Sequence, residues 1–137
     1  MNILFDTNVI LDVLLKRELF VADAVKLFNA VEKSAINGFV CANSISTIAY
    51  LLQRHEGKQF AADNIALLLE MFEVAAVNRI TLTDSLTCGF NDFEDVIIYN
   101  SALQVNADGI VTRNVKDFKA AKINIYQPYE LRVAIGQ

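Results

Sequence analysis

Five short apolar runs, "NILF", "GFVCAN", "EVAAVN", "DGIVT" and "INIY", are separated by stretches whose apolar residues recur at helical spacing. Val9, Ile10, Val13 and Leu14 form one such stripe, Phe20, Ala24, Leu27, Phe28 and Val31 a second, and Ile45, Ile48, Ala49 and Leu52 a third. A helix that follows a strand carries the chain back to the end it started from. The next strand then runs parallel to the first, with a right-handed connection. The runs are apolar at successive positions, as expected of strands buried on both sides. The expected class is therefore α/β, a central parallel sheet between two helical layers, an α/β/α sandwich. With 137 residues there is enough chain for one such domain, residues 1–137, and too little for two.

Local signals set the boundaries. Asn43 or Ser44 suits the N-cap of the helix after "GFVCAN", and "QFAADNIALLLEMF" reads as a further amphipathic helix. A short helix is predicted in "TDSLTCGF", capped by Thr83 and stopped by Gly89. A helix runs from about Phe93 to Val105, "RNVKDF" is a loop or turn, and Pro128 opens the last helix.

Hydrophobic residues make up 54% of the chain and charged residues 20%, which excludes a disordered segment and calls for an extensive core. A net charge of −4 argues against gripping nucleic acid by bulk electrostatics, yet it suits acids gathered around a cation. Cys41 and Cys88 stand in unrelated contexts, without zinc spacing or a disulfide framework. Nothing resembles a signal peptide, lipidation site or membrane-spanning stretch, so a cytoplasmic location and no membrane partner are expected.

Ligands of open parallel sheets bind beyond the carboxyl ends of the strands. Asp6 follows the first strand directly. Asp92 and Asp95, three residues apart at a helix start, share a side, while Phe93, Ile97 and Ile98 face the core and Glu94 points elsewhere. Asn114 or Asp117, just past "GIVT", offers a third donor. Carboxylates crowded together repel each other, and a divalent cation relieves this; oxygen donors without His or Cys favour Mg²⁺ or Mn²⁺. Such a site suits phosphodiester hydrolysis. Each acid also has a structural reading: Asp6 as a helix cap, Asp92 and Glu94 as complements to a helix dipole. His55 reads as a solvated helix-end residue, Tyr50 and Tyr99 as core or rim aromatics, and Arg113 as either a phosphate contact or an idle surface charge.

The segments "ILFDTNVILDVLL", "DFEDVIIYNSAL" and "GIVTRNVKDF", in this order across the chain, resemble the PIN-domain family, which includes the VapC-type toxin ribonucleases. The resemblance implies a metal-dependent ribonuclease that cleaves single-stranded RNA with Mg²⁺ or Mn²⁺, a homodimer, and an antitoxin partner in a toxin–antitoxin system. It assigns Asp6 and Asp95 to catalysis and metal binding, and places Asn114 at a third metal position, with Asp117 as a substitute and Asp92 as an additional acid. One departure is visible: where the family carries a glutamate in the helix after the second strand, "SISTIAYLL" places Tyr50. That implies weakened activity, or a degenerate module that only binds RNA or protein. A receiver-like phosphoacceptor is a third reading. It calls for a lysine after a late strand, and Arg113 follows "IVT" instead.

Overall fold

The computed structural model describes all 137 residues. β1 (Asn2–Phe5) leads into α1 (Thr7–Leu14) and α2 (Val21–Glu32), and β2 (Asn37–Cys41) into α3 (Ala42–Met71). β3 (Glu73–Ala75), α4 (Arg79–Ser85), α5 (Phe93–Gln104), β4 (Gly109–Val111), a 3-10 turn at Val115–Phe118, β5 (Asn124–Tyr126) and α6 (Pro128–Ala134) follow. The five strands form one sheet in the order β3-β2-β1-β4-β5, with every pairing parallel.

Alternation along the strands splits the core into two layers. Ile3, Phe5, Val40 and Val111 face residues of α1, α2, α3 and α6, where Phe5, Phe28 and Phe72 meet edge to face. Leu4, Cys41 and Ile110 face the other way, against Ile97, Ile98, Tyr99 and Ala102 of α5 and Phe118 of the 3-10 turn. The predicted sandwich is present, with helices on both faces. A well-formed ion pair between Arg132 and Asp23, 2.7 Å, ties α6 to α2.

Three local expectations are corrected. The short helix before Gly89 starts earlier, because Asn78 caps it reciprocally with Thr81; Thr83 lies inside, its hydroxyl donating to the Arg79 carbonyl at 2.8 Å. The helix after β2 begins at Ala42 from a Cys41 N-cap, so Asn43 and Ser44 are its first-turn residues and cap nothing. It runs into the next amphipathic segment with one break at Glu56 and Gly57, where Gly57 takes φ 91°, a left-handed backbone that glycine adopts without a Cβ clash. His55 sits exposed at this break, 3.8 Å from the Glu56 carboxylate.

Candidate active site

The site begins where the two central strands end. β1 and β4 are paired with Phe5 opposite Val111, and the register continues one step further as the Asp6 amide donates to the Val111 carbonyl, 2.9 Å. Asp6 and Thr112 thus leave the sheet side by side. The Thr112 hydroxyl donates to Oδ2 of Asp6 at 2.7 Å, the Asn8 amide reaches the same oxygen at 3.3 Å, and the Thr7 amide donates to Oδ1 at 2.8 Å. Asp6 is therefore both the N-cap of α1 and a buried carboxylate, 5% exposed, at the carboxyl edge of the sheet. Burial raises its pKa above the ordinary aspartate value, and the nearby Asp117 adds to this against the lowering effect of its hydrogen bonds. Capping explains its position; it does not explain keeping an acid where ionisation is disfavoured.

Asp95 comes to the same place from α5. Its pKa is pushed up to about 7 by burial and by the negative charges of Asp6, Asp92, Asp117 and Glu94. Acids from just past β1, from the start of α5 and from the 3-10 turn therefore sit close enough to interact. Asp92 caps α5, its Oδ1 accepting from the amides of Glu94 at 2.8 Å and Asp95 at 3.3 Å. Asp92, Asp95 and Asp117 share a hollow of about 40 Å³ with Phe90, Lys116 and Lys119. No three acidic, histidine or cysteine side chains converge closely enough to form a closed metal cage. Asn114 is exposed; its backbone amide donates to the Thr112 hydroxyl at 3.0 Å, so it abuts the residue that holds Asp6.

This arrangement has a pH signature. The folded pKa of Asp95 lies above its unfolded value near 3.8, so its contribution to stability is fully present below about pH 4 and is lost as pH rises to about 7. In EDTA, the melting temperature of Asp95→Asn minus that of the wild type is expected to increase between those limits and then level off. A difference that is flat with pH means that the repulsion is not there.

Several side chains lie elsewhere than their spacing suggested. Phe93 is 49% exposed rather than in the core, whereas Glu94 does point away from the hollow of Asp92 and Asp95, into a crevice lined by Thr7, Asn43, Ser44 and Thr47. Tyr50 is 58% exposed beside Arg54, whose guanidinium donates to its hydroxyl at 3.2 Å, whereas Tyr99 is buried. The α3 residues that do reach the crevice are Asn43, Ser44 and Thr47, and the Thr7 hydroxyl donates to that of Ser44 at 2.9 Å.

Arg113 is neither a free phosphate contact nor an idle surface charge. Its Nε donates to Oδ2 of Asp12 at 2.7 Å and its Nη2 to Oδ1 at 3.3 Å, while the guanidinium lies 3.8 Å from the Phe20 ring centroid. Asp12 is wholly buried on the inner face of α1 and also accepts from Arg17 at 3.4 Å. The Arg113 amide donates to the Asn8 side chain at 3.3 Å. Together these contacts bolt the segment after β4 to α1 and hold Thr112 against Asp6. Sequence inspection missed both Thr112 and Asp12. An acid within the apolar stripe "VILDVLL" was the available signal for Asp12, since a carboxylate on a core-facing helix stripe needs a cation.

A family model described as PIN domain matches residues 2–116. Among solved structures, the chain is similar to VapBC2 from Rickettsia felis bound to a DNA fragment from its promoter, with 15% identity and a TM-score of 0.73 over 93% of this chain and 98% of that one. VapBC-1 from nontypeable Haemophilus influenzae gives 17% identity and 0.70 over 94% and 99%. VapC20 from Mycobacterium tuberculosis, a Sarcin-Ricin loop cleaving toxin, gives 15% and 0.69 over 89% and 96%. No curated protein sequence matches. At such identities the neighbours speak to the fold alone. The family match spans β1 with Asp6, α5 with Asp95 and β4 with Thr112, the elements that meet at the acidic edge, and on that match the chain belongs to the PIN-domain family.

Proposed function

We propose that this protein is an endoribonuclease that hydrolyses single-stranded RNA with Mg²⁺ or Mn²⁺ and acts as the toxin of a toxin–antitoxin pair. One observation carries the reading: Asp6 and Asp95, 89 positions apart in sequence, are brought near enough that the charge of Asp6 disfavours the ionised form of Asp95, while burial disfavours that of both. Perturbed acids at the carboxyl edge of a parallel sheet are characteristic of a working site. The donor set fits a hard divalent cation in an open site, since Mg²⁺ is commonly held by one or two carboxylates and completes its shell with waters and substrate phosphate. Asp6 and Asp95 would hold it, with Asp92, Asn114 or Asp117 completing or hydrogen-bonding its surroundings. When bound, the ion supplies positive charge against the phosphodiester and lowers the pKa of an attacking water. The chain's own residues do the positioning. Thr112 orients one Asp6 oxygen, the Thr7 amide fixes the other, and the Asp92 cap sets the first turn of α5 and with it Asp95.

The partner and assembly follow the same reading. Described neighbours include toxin–antitoxin complexes, which supports an antitoxin partner here. An apolar groove lined by Val77, Leu82, Leu86 and Phe93, with Leu86 73% exposed, supports a homodimer that covers it. No helix is long and apolar enough to cross a membrane, in keeping with a cytoplasmic assignment for the single 1–137 unit.

A second reading, a degenerate PIN module that binds RNA or protein without cutting it, is favoured by the absence of a closed acidic cage and by Tyr50 lying exposed at the missing family acid. The two readings separate in one assay. Purified protein with single-stranded RNA is expected to cleave in Mg²⁺ or Mn²⁺ and to stop in EDTA. Cleavage that EDTA leaves untouched, or no cleavage with either ion, sinks the nuclease reading.

A further inference from the structure

An acidic chain that acts on a polyanion has to hold it with cations near the reacting bond, because the acids of the site repel the substrate. The run "TRNVKDFK" after β4 offers Arg113, Lys116 and Lys119. Arg113 is already committed, its guanidinium paired twice with the buried Asp12 and stacked on Phe20. The two lysines are different. They lie three residues apart on and just after the 3-10 turn, a spacing that puts side chains on one side of such a turn. Both line the hollow that holds Asp92, Asp95 and Asp117. Despite three neighbouring carboxylates, neither ammonium group forms an ion pair; the four ion pairs of the molecule involve only arginines and His55. Their base is rigid, since Phe118 between them is buried and packs edge to face on Phe90. The hollow, about 40 Å³, has room for a water or an ion and is too small for a nucleobase.

We propose that Lys116 and Lys119 form a phosphate-binding subsite for the RNA backbone, seating a phosphate next to the scissile one at the mouth of this hollow. The proposal rests on the nuclease reading for its substrate, but it concerns binding and is tested apart from cleavage. Lysine suits the role as a compact point charge that takes a phosphate without demanding a fixed geometry, which is consistent with reading the backbone rather than a base.

The test measures affinity of the full chain for a fluorescently labelled single-stranded RNA in EDTA, across a salt series, for wild type, Lys116→Gln/Lys119→Gln, Lys116→Arg/Lys119→Arg, and a control Lys26→Gln/Lys58→Gln, exposed lysines of α2 and α3 that do not line the hollow. The glutamine pair is expected to bind about 10-fold more weakly, and its slope of log affinity on log salt to be shallower by about 1.4, or 0.7 per lost single-strand phosphate contact. The arginine pair should keep most of the affinity, and the control should match the wild type. In Mg²⁺, the glutamine pair should raise KM and leave kcat nearly unchanged. Unchanged affinity and slope in the glutamine pair, or an equal loss in the control, overturns the subsite. RNA binding that depends on the two lysines without any metal-dependent cleavage keeps the subsite and removes the nuclease reading; no RNA binding by the wild type removes the subsite.

Discussion

Asp6→Asn and Asp95→Asn are each expected to lower metal-dependent RNA cleavage by about 100-fold or more while leaving the fold at least as stable as the wild type at pH 7.5. The pairing of those outcomes matters. Burial raises the pKa of Asp6, and burial with neighbouring acids raises that of Asp95, so each carboxylate strains the fold whenever it is ionised. An asparagine keeps the shape without the charge. At position 6 its carbonyl oxygen still accepts from the Thr7 amide, and its NH₂ can donate to the Thr112 hydroxyl, so the cap of α1 survives. An acid whose removal relieves the structure and silences the chemistry is there for chemistry. Melting curves and cleavage rates on the same preparations check this. If Asp6→Asn melts well below the wild type and still cleaves at an undiminished rate, Asp6 is a structural cap and nothing more.

Arg113→Ala is expected to cost about 3 kcal/mol of stability, a fall in Tm of roughly 10 °C. The substitution leaves Asp12, wholly buried, with only the 3.4 Å contact to Arg17, and removes the stack on Phe20. An uncompensated buried carboxylate is among the costliest single defects. The loss sits at the lower end for such pairs because the Arg113 side chain is 25% exposed, so part of the attraction is screened. Arg113→Lys should recover part of the loss: the charge returns, but the two parallel hydrogen bonds and the planar stack do not. Thermal unfolding of both variants is the measurement. Arg113→Ala melting within a degree of the wild type would show that the clamp does not hold β4 to α1.

Much of this molecule is legible in one dimension because its cause is periodic. Apolar runs separated by helical stripes dictate strand, helix and parallel pairing. Asp6 could be placed at a strand end, and Asp92 and Asp95 at a helix start, from neighbouring residues alone. Helix bounds slipped where a stronger local cap competed: Asn78 with Thr81 outdid Thr83, and Cys41 ended its strand directly into α3. Phe93 was misjudged because rotation about α5 depends on what α5 packs against, and its first turn faces α3 and the outside as much as the core.

The order of hydrophobic and polar residues thus decided the layered architecture and the candidates for the acidic edge, since secondary structure and burial follow from near neighbours along the chain. Folding alone decided that Asp6 and Asp95 share one electrostatic environment, that Arg113 spends its charge on Asp12, and that Lys116 and Lys119 remain without carboxylate partners. Those facts depend on distances between groups remote in sequence, and Coulomb and hydrogen-bond energies act through space, not along the backbone.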